Sequence, residues 1–473
     1  MQRHTPFTGR HHSSFVTRHS PFGILRCALR HSALCIAAFL ASRTAEADIP
    51  TTLSKNTDYV VTGETGAGPK QIYVENASLT IDGGSYLDFY NTGSAAQTNF
   101  FLHVTGGSTV TNFSWPLPTQ DGSRVVIDGG SLLHAGARES MTIGPAGKAV
   151  NKGSVFAATN ATVLCKNSGN GNFAVRNNSN TVSFCDSRID GGSAFTISGV
   201  GNRVTFAGDC GSTKYSLTFY SSTNNWVVLE DNARLALTNG YLRLSNSSGG
   251  AFGYLVGRNA RLQVTRHGLC NWGNLETISN GLFQVEEGGE LRVHTGIDDS
   301  SINGNSRWVV NNGRFVCDSD YLQIGTRAKY NGTRLELNGD AARVIGGSLG
   351  LQIGNADNPA GCTIALKPGP NAFNGEGPLV STNTASSRGY IIFKGACVFE
   401  IDAREPLRRC AANEVLRIPV VQAGRAFSEW TTAKLDALNE LLVTYPEGGR
   451  LVKDGLFLYC EIKRKATTVL AVR

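Results

Sequence analysis

The 473-residue sequence predicts an all-β fold, a single-stranded right-handed parallel β-helix solenoid with a small C-terminal α+β cap. Three observations carry that expectation. First, a unit recurs: an apolar residue, two or three polar or glycine positions, a small residue, a variable residue and then an alternating strand, with steps of 23 to 29 residues between adjacent copies. Second, apolar and polar residues alternate within each unit with the period of a β-strand. Third, helical spacing is convincing in one segment only, close to the C-terminus.

Residues 1–47 are set aside first. They hold Arg3, Arg10, Arg18, Arg26, Arg30 and Arg43 against a single acid, Glu46, and the apolar run Ala33 to Ala41 follows the basic stretch. Ala45-Glu46-Ala47 is the small-x-small pattern of a signal-peptidase site, which predicts a removed signal peptide and a mature chain starting at Asp48. An apolar run of nine residues is too short to cross a hydrocarbon core, which takes about 20. The chain is therefore expected to be exported to the periplasm, the cell surface or the medium of a bacterium, with no membrane span in its mature part.

Six of the 44 basic residues and one of the 37 acids leave with that segment, so the formal net charge drops from +7 to about +2. So slight a balance gives no reason to expect a nucleic-acid partner. Of the nine histidines, His103, His134, His267 and His294 remain. So do nine cysteines, an odd number without any Cys-x-x-Cys pair, so neither a disulfide framework nor a zinc site is indicated. Cys165, Cys185 and Cys317 end apolar strand segments and read as small buried hydrophobes.

The solenoid is expected over residues 48–400. Its apolar anchors are Ile81, Val104, Ile127, Leu229, Val256, Val285 and Val310, with fainter copies near Ala157 and Leu337. In Leu262-Gln263-Val264-Thr265 and Leu291-Arg292-Val293-His294 the alternation points Leu and Val inward and the polar residues outward. Gly-Gly or Asn-Ala after the anchor supplies the positive φ that a sharp corner needs. Stacked coils place Asn232 beside Asn259 as a short side-chain ladder, and Arg234 beside Arg261 with Glu290 as the next rung to offset the repulsion. An antiparallel sandwich or propeller is the alternative, but Asn-Gly hairpin signals are rare here and the corners recur at one place in every unit.

Residues 401–473 form the expected cap, which an open solenoid end requires in order to cover its core and its strand edges. Ser428 to Leu442 has helical spacing, with Ser428 as the helix cap and Pro446 beyond the end. Closing strands are predicted at Leu451 to Lys465 and Thr467 to Val472.

This periodicity with Gly-Gly and Asn corners resembles the broad right-handed parallel β-helix group, which includes pectate-lyase-like enzymes, polygalacturonases and the passenger parts of bacterial surface proteins. The resemblance covers residues 70–400 and implies architecture, not activity. Polygalacturonase-like enzymes share Asn-Thr-Asp, Gly-Asp-Asp, Gly-His-Gly and Arg-Ile-Lys motifs in that order; here Ile297-Asp298-Asp299-Ser300 lacks the glycine and His267-Gly268 precedes it. A lyase needs a cation, calcium in that case alone, to neutralise a uronate carboxylate, and an Arg or Lys base on the same face. Arg266, His267, His294, Asp298 and Asp299 lie in two neighbouring repeats and are the candidate catalytic residues under that reading. Phosphate-loop, zinc-protease, esterase and calcium-nonapeptide motifs are missing from the sequence, and no cofactor is identified. Trp226 and Trp308 each begin an alternating strand; packing in the core or a corner is the expected role, sugar stacking the alternative. The favoured function is a structural or adhesive surface that binds polysaccharide or a cell-surface component. An extracellular lyase or hydrolase of acidic polysaccharide is the alternative.

Overall fold

The structure is a computed structural model. It describes strands between residues 51 and 111 and then residues 124–134, 141–143, 153–165, 172–176, 178–190, 194–212, 216–238, 242–245, 251–270, 281–295, 307–319, 321–325, 333–354, 362–381, 390–424 and 430–465. The expected signal peptide, Ser428 and the closing strand at Thr467 to Val472 lie outside these described residues.

The chain is a parallel β-solenoid. A first sheet of 15 strands runs from Thr51–Leu53 to Val443–Tyr445, and every neighbouring pair in it is parallel. A second sheet starts at Asp58–Val61 and continues in parallel to Leu379–Ser381 and the end of Val415–Gln422. The third face is built in sections, among them Met141–Ile143 to Leu242–Ser245 and, later, Tyr321–Ile324, Gly350–Ile353 and Tyr390–Phe393. Where all of its strands are described, a coil thus visits three sheets, and its strands pair with the coils before and after it.

Between the first and second sheets the corner is made by one left-handed residue per coil: Gly129, Asn160, Asp186, Gly208, Asn232, Asn259, Gly288, Asn312 and Gly339 all have positive φ. Glycine and asparagine tolerate that region, which explains the recurrence of these residues in the sequence. The next residue turns inward and is small and buried in most coils, as at Gly130, Ala161, Ala233, Ala260 and Gly313. At Gly313 even a methyl group would come within 2.6 Å of the Glu286 carbonyl oxygen.

Six of the seven expected anchors lie in first-sheet strands, and those from Val104 to Val310 are buried. Ile81 instead belongs to the second-sheet strand Ser78–Ile81, and the first-sheet partner of Val104 is Val74. Between Ile127 and Leu229 the sequence pattern picks out only the fainter copy near Ala157, whose Asn160-Ala161 corner matches those elsewhere, because Asp186-Ser187 and Gly208-Asp209 depart from the Gly-Gly and Asn-Ala corners that mark the unit.

The core is an aromatic spine. Phe156, Phe173, Phe184, Phe195 and Phe206 pack ring against ring, and the series resumes through Phe219, Tyr254, Phe283, Trp308 and Phe315. Burying each such ring contributes about 1.5–3 kcal/mol. Trp308 is 1% exposed, as expected of core packing. Trp226 does not share that place: Val227 and Leu229 take the inward positions of its strand, so its ring lies on the outer side, half-buried. The difference is one of phase, since Trp226 stands three residues before its anchor and Trp308 two.

A second corner, leading back to the first sheet, holds a buried asparagine ladder. Asn180, Asn202 and Asn225 stack in successive coils. The side-chain oxygen of Asn202 accepts from the Asn180 backbone N–H and Nδ2, both at 2.9 Å, while its own Nδ2 donates to the Ser198 carbonyl at 2.8 Å. The Asn202 N–H in turn donates to Asn225 Oδ1 at 2.7 Å. The ladder expected at Asn232 and Asn259 exists as one exposed 3.3 Å hydrogen bond from Asn259 to Asn232.

Near the C-terminal end the short corner is replaced by residues 368–378, where Ala372, Phe373, Asn374 and Gly375 all have positive φ. Left-handed residues other than glycine cost about 1–2 kcal/mol each. Asp340 accepts from the backbone N–H groups of Asn371 and Phe373, and Arg343 donates to the Phe373 carbonyl, while the Phe373 ring is fully buried. Helices α1 (Arg404–Leu407) and α2 (Thr432–Glu440) follow, with an antiparallel hairpin of Arg450–Asp454 and Phe457–Lys463 joined to Val415–Gln422. Thr431 caps α2, accepting from the Lys434 N–H at 3.3 Å.

Candidate functional site

The outer side of the second sheet, where the strands Arg261–Cys270, Glu290–Thr295 and Arg314–Cys317 lie side by side, collects the candidate residues that can be placed. Leu262, Val264, Leu291 and Val293 are buried, and the alternate residues Gln263, Thr265, Arg292 and His294 lie on the other side. The register between the first two strands shifts between Val264 and Gly268, so the backbone of Arg266 and His267 forms an irregularity next to the His294 strand. The His294 carbonyl accepts from the backbone N–H of Ser319 at 2.8 Å and its hydroxyl at 2.7 Å, which fixes the backbone there. The side chains of Arg266 and His267, and Asp298 and Asp299 altogether, lie outside the described residues.

Glu290 is the electrostatic hub. It pairs with Arg261 at 3.2 Å across the rung and with Arg292 at 2.7 Å, and Arg292 reaches Asp318 at 2.5 Å on the next coil. Burial pushes the Glu290 carboxyl up, but the hydrogen bond from Arg292 and the charges of Arg292, Arg261 and Arg314 outweigh it and hold the group below its ordinary range. The expected relief of the Arg234–Arg261 pair by Glu290 is thus realised through Arg261.

A second ladder, not read from the sequence, crosses the outer side of the first sheet. Glu336 pairs with Arg307 at 2.6 Å and Arg334 at 3.0 Å, and Arg334 continues to Glu400 at 2.7 Å. Beside it Asn338 donates to Asn311 at 2.8 Å and Asn311 to Glu286 at 3.1 Å. Burial raises the Glu336 carboxyl, and the hydrogen bond and charge of Arg307, with those of Arg334, more than reverse this.

The cysteines show the opposite shift. Burial first, and then the adjacent carboxylate of Asp186, pushes the Cys185 thiol up to about 11, and burial drives Cys397 and Cys460 to about 12. These thiols are protonated at neutral pH, the state of packing groups and not of nucleophiles. Among the described residues, no group of three or more His, Cys, Asp or Glu side chains is arranged to hold a metal ion, and no helix is long and apolar enough to cross a membrane.

The ladders fix a pH response. Glu290 and Glu336 have folded pKa values below the ordinary 4.5, so their contribution to stability is complete above that value and is lost as pH falls through the folded pKa. The melting temperature is expected to be level from neutrality to about pH 5.5 and to fall below about pH 4.5. Glu336→Gln should lower the plateau and flatten the acid limb, as read by thermal melts across that range.

No family model, no curated protein and no solved structure matches this chain.

Proposed function

We propose that this chain is an exported structural or adhesive solenoid whose outer faces bind polysaccharide or another cell-surface component. The observation that supports this most is the use made of the outer charges. Arg261, Glu290, Arg292 and Asp318 on one face, and Arg307, Glu336, Arg334 and Glu400 on another, tie successive coils together. Carboxylates held in ion pairs between coils, with Glu290 and Glu336 kept below their ordinary range, suit a rigid display surface better than proton transfer near neutral pH. The half-buried Trp226 on the outer side of the first sheet adds an aromatic face of the kind that stacks on sugar rings.

The alternative, a lyase acting on acidic polysaccharide with calcium, draws on the strand irregularity that brings the Arg266-His267 backbone beside His294. One experiment separates the two. The purified protein is incubated with acidic and neutral polysaccharides, with and without calcium, following co-sedimentation together with unsaturated uronate absorbance and new reducing ends. Binding without turnover is expected, with binding weakened by Trp226→Ala. Turnover lost in His294→Ala would overturn the proposal in favour of the lyase, and silence in both readouts would remove polysaccharide as the ligand.

A further inference from the structure

The outer sides of the first two sheets differ in charge. On the second sheet, neighbouring strands carry Arg234, Arg261, Glu290 and Arg292. On the first sheet, the outer side from the strand Val155–Thr159 to the strand Gly281–Val285 is almost without charge. Its middle row is Ala157, Ser183, Thr205, Val228, Leu255 and Gln284, one residue from each of six successive coils, paired in register without a shift. None of the six is exposed, and Thr205 and Val228 are each only 9% exposed, so the row has low relief. In the rows on either side the same strands contribute one charged residue, Arg203, and the ladder that starts at Arg307 belongs to the next coil. With rungs about 4.8 Å apart and residues rising about 3.3 Å along a strand, the face measures about 24 by 13 Å.

Trp226 stands in one of the flanking rows, with Gly253 beside it and Leu282 one coil further on. No side chain fits at Gly253, where a Cβ would lie 1.8 Å from the Leu282 carbonyl oxygen. The place next to Trp226 in its row is thereby kept clear. A polyanion would meet a single cation on this face, and a lone flexible chain is held by a cleft, which a row of low relief does not supply. The packed chains of a neutral β-1,4-linked polysaccharide fit better, because they present a broad flat surface of ring C–H groups with hydroxyls at the ring edges. Trp226, Leu255 and Leu282 match the C–H surface, and Thr181, Ser183 and Gln284 supply donors and acceptors for the hydroxyls. We infer that the outer side of the first sheet between residues 155 and 285 docks on the flat face of an insoluble, neutral β-1,4-linked polysaccharide. This rests on the proposal that the outer faces bind polysaccharide, and narrows it to one face and one class of ligand.

Depletion of the full chain from solution by microcrystalline cellulose and by chitin, beside its retardation in gels that contain soluble polygalacturonate, tests this. Binding to the insoluble glycans is expected, and it should persist when salt is raised to about 1 M because the face has no ion pairs to screen. Ser183→Arg sets a charge in the middle row and is expected to weaken that binding about tenfold, whereas a polyanion on the same face would be held more tightly. Ala236→Arg, on the exposed outer side of the second sheet, should change nothing. Binding to the insoluble glycans that falls with salt, or that grows or stays level with Ser183→Arg, would overturn the inference. Retardation by polygalacturonate without depletion by either insoluble glycan would overturn it as well and leave the broader polysaccharide proposal standing, while silence in both assays would remove the two together. Should Ser183→Arg disturb the circular dichroism spectrum, the exposed Thr181→Arg replaces it with the same expectation.

Discussion

Phe184→Ala, in the middle of the aromatic spine, is expected to cost about 3–5 kcal/mol. The ring is fully buried and lies 5.4 Å from Phe206, 5.7 Å from both Phe156 and Phe173, and 6.1 Å from Phe195. Its neighbours belong to the first and third sheets, so its removal opens a cavity between two walls held apart by their own ladders. Such walls cannot collapse to fill it, which places the cost in the upper part of the range for aromatic-to-alanine changes. Phe184→Leu keeps most of the volume and should cost less than about 1.5 kcal/mol. Urea denaturation followed by near-ultraviolet circular dichroism gives both values, and a cost for alanine close to that for leucine would mean that the sheets do close the gap.

Asn202→Ala is expected to lose about 2–4 kcal/mol by a different route. The change leaves the Asn180 backbone N–H without its acceptor and removes the Asn202 donor from the Ser198 carbonyl, at a position that is 0% exposed, while Asn180 Nδ2 keeps only its bond to the Arg176 carbonyl. A buried polar group that loses its partner costs about 1–3 kcal/mol, and more than one does so here. Asn202→Asp keeps the acceptor for Asn180 but turns a carboxylate toward the Ser198 carbonyl, so at neutral pH it should be no better than alanine. Asn259→Gly is the matched comparison, because it keeps the left-handed corner and gives up only the exposed 3.3 Å contact with Asn232. It should cost less than about 1 kcal/mol. The same denaturation series ranks the three, and an Asn202→Ala cost no larger than that of Asn259→Gly would show that the ladder is hydrated.

The corner was legible in the sequence because its requirement is local. Positive φ at Asn232, Asn259 and Gly288 follows from the residue type at that point of the unit, whatever lies above or below. The inward set Leu262, Val264, Leu291 and Val293 was legible for the same reason, since alternation is a property of one strand. Trp226 was less so: a shift of one position relative to its anchor moves a side chain to the other side of the sheet, and both tryptophans precede valine pairs. In the candidate site, the second-sheet face of His294 and its neighbours could be read from alternation, and so could the Arg261–Glu290 pairing. The Glu336 ladder could not.

By itself, then, the sequence determined the period, the corners, the inward residues and the presence of a helical cap, all of which depend on short stretches of chain. Beyond the Arg261–Glu290 and Asn232–Asn259 rungs, only the tertiary structure decided which side chains become partners across coils. Asn180, Asn202 and Asn225 are separated by 22 and 23 residues, whereas Arg307 reaches Glu336 over 29 and Arg334 reaches Glu400 over 66, across an intervening coil. The number of residues between paired strands varies from coil to coil, so no fixed offset in sequence identifies the neighbour above. Hydrogen-bonded register between parallel strands sets that neighbour instead, and with it the buried ladder and the ion pairs.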